Sequence, residues 1–137
     1  MQLVRRTRAC ELQRAVEALA GLGERGLRVT ADGVVVGYSG DTGPCAGLDE
    51  VAAGADLMLA EASFREGDDN PPNLHLTGLD AGDLATRLGV RRLVLTHVPP
   101  WHEPEEALLE ARQAYDGPVE LARAGAAYEL HAIGGQV

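Results

Sequence analysis

The chain has 137 residues, the scale of one domain, and its 45% hydrophobic and 24% charged content is that of a folded globular protein rather than a disordered one. A formal net charge of −9 argues against a broad nucleic-acid footprint. No run approaches the roughly 20 apolar residues of a membrane span, and the basic start, Met1 to Arg8, is not followed by the apolar run of a secretory signal. Cys10 and Cys45 have no CxxC or paired spacing, so they read as free thiols of a reducing, cytoplasmic compartment. Aromatics are only 4%, so the expected core is built from Leu, Val and Ala.

Residues 1–26 stand apart as an atypical N-terminal segment. Leu12, Val16 and Leu19 have near-helical spacing and predict a short helix over about 9–20, followed by a glycine-rich joint at Gly21, Gly23 and Gly26. From residue 27 to 137 the pattern is that of an α/β layer. Leu27 to Thr30 and Val34 to about Tyr38 flank Asp32-Gly33, a pair suited to the positive φ of a tight hairpin turn. A turn-rich loop, Ser39 to Pro44, leads to a short helix at about 48–55. Leu57 to Ala60 then reads as a strand buried on both faces. After a polar loop at 65–73, a helix is expected over about 79–88, with Thr77 as N-cap and Gly89 beyond its end. Arg92 to Thr96 is another buried strand. Pro104 opens a helix that reaches about Tyr115, and short strands are expected at 119–122 and 127–131. Strands alternating with helices predict crossovers in one sheet.

Chemistry-bearing residues fall just past strand ends, where open α/β sheets bind ligands. Asp41 lies in Gly40-Asp41-Thr42-Gly43, where flanking glycines let a carboxylate approach a metal closely. His75 precedes a helix start and can donate a proton to a leaving oxygen. His97 follows an apolar strand and is a good ligand type, with Pro99 and Pro100 fixing the chain beyond it. Glu61, also at a strand end, can orient His75. Each has a plainer reading: an exposed turn for Asp41, a hydrogen-bonded inert ring for His75, a satisfied core histidine for His97, a surface acid for Glu61. Trp101 reads as packing, and His102 and His131 receive no role. A nucleotide-binding or response-regulator layer is the weaker alternative, because no GxGxxG or Walker-type loop is present.

Taken together, Ser-Gly-Asp-Thr at 39–42, Glu-Ala-Ser-Phe at 61–64, His-Leu-Thr-Gly at 75–78 and Leu-Thr-His at 95–97 resemble, in that order, the C-terminal half of ribonuclease Z-like proteins of the metallo-β-lactamase fold. The strings at 71–78 and 95–101 look closest to the actinobacterial branch described as cyclic-nucleotide phosphodiesterases. The resemblance implies the C-terminal half of an αββα sandwich, a hairpin plus a βαβαβ layer. It implies a metal-dependent phosphodiester hydrolase using Zn2+ or Mn2+, with Asp41 and His97 as metal ligands, His75 as the proton donor and Glu61 in support. The implied substrate is a small phosphodiester such as a cyclic nucleotide, with tRNA 3′-processing as the alternative.

The family's first half carries a His-x-His-x-Asp-His motif and a further histidine. This sequence has four histidines and no His-x-His. Two ligands do not complete a zinc site, so the N-terminal half is expected to be absent and the chain to be truncated. A fragment, a disrupted reading frame and a degenerate descendant all fit. Half a sandwich also predicts an open apolar sheet face. Such a face would be covered by the missing half or by a second copy in a homodimer, and the chain could then be a non-catalytic remnant or interaction domain.

Overall fold

The computed structural model describes residues 2–3 and 26–132. The helix expected over 9–20 lies outside the described residues. In chain order the elements are β1 (Gln2–Leu3), β2 (Leu27–Ala31), β3 (Val34–Tyr38), α1 (Ala46–Ala52), β4 (Leu57–Glu61), α2 (Gly78–Arg87), β5 (Leu93–Thr96), α3 (Pro104–Ala114), β6 (Val119–Leu121) and β7 (Ala127–Tyr128). Strands β2 to β6 form one five-stranded sheet in sequence order. The β2–β3 pair is antiparallel, and β3 through β6 run parallel. The fold is thus the hairpin plus βαβαβ layer expected from the sequence.

Local chemistry explains the element ends. Asp32 and Gly33 sit at φ 52° and 72°, both left-handed, as a two-residue hairpin turn demands. Helix α2 starts at a reciprocal capping box: the Thr77 hydroxyl accepts from the Asp80 N–H, and the Asp80 carboxylate accepts from the Thr77 N–H. Gly89, at φ 66°, follows its end. Helix α3 opens on Pro104, whose missing N–H is no loss in a first turn.

All five residues of β4 are buried, which is why its sequence reads as an unbroken apolar run. Successive side chains alternate between two cores. Met58, Ala60, Leu93 and Leu95 face the helices, where they meet Leu48 and Val51 of α1, Leu84 of α2 and Ala111 of α3. Leu57, Leu59 and Val94 face the other way and pack with Tyr128, Val36 and Leu130. This corrects the expectation of an open face. Leu57 and Val94 are fully buried and Leu59 nearly so, and Ala126, Tyr128 and Leu130 of the 126–130 segment pack against them. Burial of each such side chain is worth roughly 2 kcal/mol, which is reason enough for that segment to close on the sheet. The last strand is also shorter than expected and joins no part of the main sheet. It pairs in parallel with β1.

Helices α2 and α3 approach through small residues. A Cβ on Gly78 would overlap the Ala107 carbonyl oxygen, and one on Gly82 would overlap that of Ala111. Ala is a better helix former than Gly by about 1 kcal/mol, yet Gly82→Ala is expected to destabilise the protein by about 1–3 kcal/mol through overpacking. A thermal melt in which Gly82→Ala matches or exceeds the parent would show that the two helices have room to spare. Below them, Tyr115 is buried and its hydroxyl donates to the Val90 carbonyl at 2.9 Å. That burial pushes the phenol pKa up from its ordinary value.

Candidate metal centre

The parallel strands β3, β4 and β5 end side by side, and the loops that leave them converge. Glu61 closes β4 and pairs in register with Thr96 of β5. One residue past this pair the register sets Ala62 beside His97, and the next residue, Ser63, turns its hydroxyl onto the His97 ring and carbonyl. The loop after β3 carries Asp41. It is seated by Ser39, whose hydroxyl donates to the Gly40 carbonyl at 2.7 Å and accepts from the Glu61 N–H at 2.9 Å. Gly43 packs so tightly on Asn73 that a Cβ there would overlap the Asn73 backbone, and Asn73 itself sits at φ 58°.

Glu61 is the hub. Its carboxylate is 1% exposed, so every charge-bearing oxygen needs a partner. Oε1 accepts from the Thr42 N–H at 2.6 Å and from His75 Nδ1 at 2.8 Å, and Oε2 accepts from the Ser63 N–H at 3.2 Å. One buried carboxylate therefore ties together the Asp41 loop, the β4 exit and the His75 segment. Phe64 meets the His75 ring edge-on at 4.9 Å between centroids, which fixes the ring's second degree of freedom.

His97 is held differently. Its Nδ1 lies 2.8 Å from the Ser63 hydroxyl and 3.1 Å from Asp41 Oδ1. The Ser63 hydroxyl donates its single proton to the His97 carbonyl at 2.8 Å. It must then accept from Nδ1, which puts the imidazole proton on Nδ1 and leaves a lone pair on Nε2. His75, bonded to Glu61 through Nδ1, presents its Nε2 in the same way. His97 and Asp41 are about half exposed, whereas His75 is mostly covered. The two rings stand 5.7 Å apart between centroids.

Ligand-type atoms of Glu61, His75 and His97 lie within 4.8 Å of one another. This donor set of imidazoles and carboxylates suits zinc or manganese. Within it, Glu61 has both oxygens committed to hydrogen bonds, so it fits an orienting partner better than a ligand. The donors that remain are the two Nε2 atoms and the Asp41 carboxylate. A catalytic zinc takes three protein ligands plus a water, so these atoms make part of a centre, and a dinuclear one needs ligands from beyond them.

The rings open onto a cleft of about 580 Å³, lined by the 63–75 segment on one side and the His97–His102 segment on the other. Arg65 bridges Asp68 and Glu106 across this loop. Its hydrogen bonds to Asp68 and Glu106 raise its pKa from the ordinary value. Glu110, reaching up from α3, accepts from the N–H groups of Glu66 and Gly78 at 2.8 and 2.9 Å and anchors both ends of the loop. Sequence reasoning missed Ser63, Ser39 and Glu110. It also gave no role to His102, which lines the cleft, whereas His131 is exposed beside Glu129.

Parallel strands whose ends gather imidazoles and carboxylates make a site of the metal-binding class. The chain belongs to the metallo-β-lactamase-fold family: residues 10–98 match the model of the beta-lactamase superfamily domain. Among relatives, an uncharacterized protein of Mycobacterium leprae is 47% identical over 108 residues, covering 78% of this chain and 38% of that one. Ribonuclease Z of Myxococcus xanthus is 41% identical over 96 residues, covering 67% of this chain and 31% of that one. The crystal structure of the metallo-β-lactamase fold protein YhfI from Bacillus subtilis superposes with a TM-score of 0.68 at 28% identity, over 73% of this chain and 42% of that one. The chain thus spans about two fifths, or less, of the length of these relatives. Among the described residues, no helix is long and apolar enough to cross a membrane.

Proposed function

We propose that this chain carries the C-terminal part of a metal-dependent phosphodiester hydrolase whose substrate is a small diester such as a cyclic nucleotide. The observation that carries the reading is the matched pair of imidazoles, each pinned through Nδ1 and each with Nε2 left for the cleft. Asp41 and His97 are the residues that would hold Zn2+ or Mn2+. A metal held there would supply Lewis-acid stabilisation of phosphoryl charge and a lowered pKa for attacking water.

The chain's own residues do the rest. Glu61 fixes the His75 ring and turns its Nε2 to the cleft, so that a doubly protonated His75 would pass its Nε2 proton to the leaving oxygen. Ser63 fixes the tautomer of His97. A cleft of about 580 Å³ matches a small-molecule ligand. The formal charge of −9 disfavours a long polyanion, which weighs against tRNA as substrate.

The test is elemental analysis of the purified chain at defined oligomeric state, paired with hydrolysis of cyclic AMP in the presence of Zn2+ or Mn2+. Bound metal together with turnover supports the reading, and two ions per active unit would mean that further ligands come from a second chain. A protein that takes up neither metal in any oligomeric state is a remnant of the family and not a hydrolase.

A further inference from the structure

Trp101 is the chain's single tryptophan, and packing does not account for it. Its side chain is 78% exposed, the most exposed of the large hydrophobic residues identified on the surface. An indole left in water loses roughly 2 kcal/mol or more of burial free energy. It is also not loose. The His102 N–H donates to the Pro99 carbonyl at 3.1 Å, closing a turn with Pro100 and Trp101 at its two central positions. Pro100 stands at the second position, where its fixed φ preorganises such turns. The His102 ring meets the indole at 61°, with centroids 6.3 Å apart. Trp101 therefore presents a face from a stiff mount, and it lines the same cleft as His75 and His97.

We infer that Trp101 is a stacking platform for the base of a nucleoside phosphodiester whose phosphoryl group sits at His75 and His97. This rests on the phosphodiester reading above and names its substrate class. A base offers a flat π-face to an aromatic ring whatever its hydrogen-bonding edge, so a single indole selects base-bearing diesters over simple alkyl ones without choosing among bases. Asp69 and Asn70 line the same cleft and offer acceptors to ribose hydroxyls or base amino groups.

A lone tryptophan makes its own reporter. The full chain, supplied with Zn2+, is titrated with cyclic AMP, dimethyl phosphate and adenosine, following tryptophan emission in parallel with calorimetry. Cyclic AMP and adenosine are expected to quench the emission, and dimethyl phosphate to leave it unchanged. Trp101→Ala should weaken cyclic AMP binding by roughly tenfold, the size of one base–aromatic stack. Trp101→Phe should restore most of it, and dimethyl phosphate affinity should stay the same in all three proteins. Cyclic AMP binding that needs His97 but is indifferent to Trp101→Ala overturns the stacking assignment and leaves the phosphodiester reading standing. No binding of either phosphodiester overturns both. Emission that changes with protein concentration and not with ligand would make the indole a contact between chains, and the assignment would fail.

Discussion

The His97→Ala variant is expected to lose most of its bound Zn2+ or Mn2+ and to lower phosphodiester turnover by more than about 100-fold. Removing a residue that only orients a metal ligand typically costs 10- to 100-fold in affinity or activity, and loss of the ligand itself should exceed that. Asp41→Ala is expected to act in the same direction, since its carboxylate is the second proposed ligand and lies 3.1 Å from His97. The alanine at position 97 has a second effect. His97 sits at φ 56°, where Ala is strained and where Asn, like His, is tolerated. His97→Asn is therefore the companion variant. It should fold as well as the parent and still fail to hold metal. Unchanged metal content in His97→Asn would remove this residue from the centre.

Glu61→Ala is expected to destabilise the fold by about 3–5 kcal/mol, more than any other single change at the site. The deletion strands the buried Ser63 amide and the half-buried Thr42 amide and His75 Nδ1 donor around the space the carboxylate filled. Glu61→Gln keeps the shape but turns one acceptor into a donor that faces other donors, so it should recover only part of the loss. Urea denaturation reads both. His75→Ala, by contrast, leaves the carboxylate with its two backbone donors and should cost far less stability while lowering turnover. If Glu61→Ala and His75→Ala shifted the denaturation midpoint equally, Glu61 would be a surface acid in effect, and its role as the hub of three loops would be wrong.

Most of the layer was legible because its signals are local. The Asp32-Gly33 turn, the Thr77 cap and the apolar run of β4 are each written in a few adjacent residues, and apart from the ends of α1 and β7 the elements of the layer appear within a residue or two of where they were expected. The strand-end positions of Asp41, Glu61 and His97 were legible for the same reason, whereas His75, expected just past a strand, lies instead in the segment that leads into α2. Ser63 was not legible, because its partner is 34 residues away and the contact forms only once β4 and β5 lie side by side, which no local pattern encodes. The exposure of Trp101 was invisible too, since a tryptophan in sequence carries no sign of which side of a turn it will take. The packing of the 126–130 segment on Leu57, Leu59 and Val94 involves a strand of two residues, below the length at which alternation can be read.

The left-handed backbone at His97 has a consequence for how this chain can change over generations. Glycine would suit that backbone better than histidine, so apart from its contacts with Ser63 and Asp41 the fold gives little reason to keep an imidazole at that point. Stability and chemistry pull position 97 in opposite directions. In a lineage that no longer used the centre, drift would favour replacement of His97 by glycine or asparagine, while Glu61, which the fold needs for its own cohesion, would outlast it.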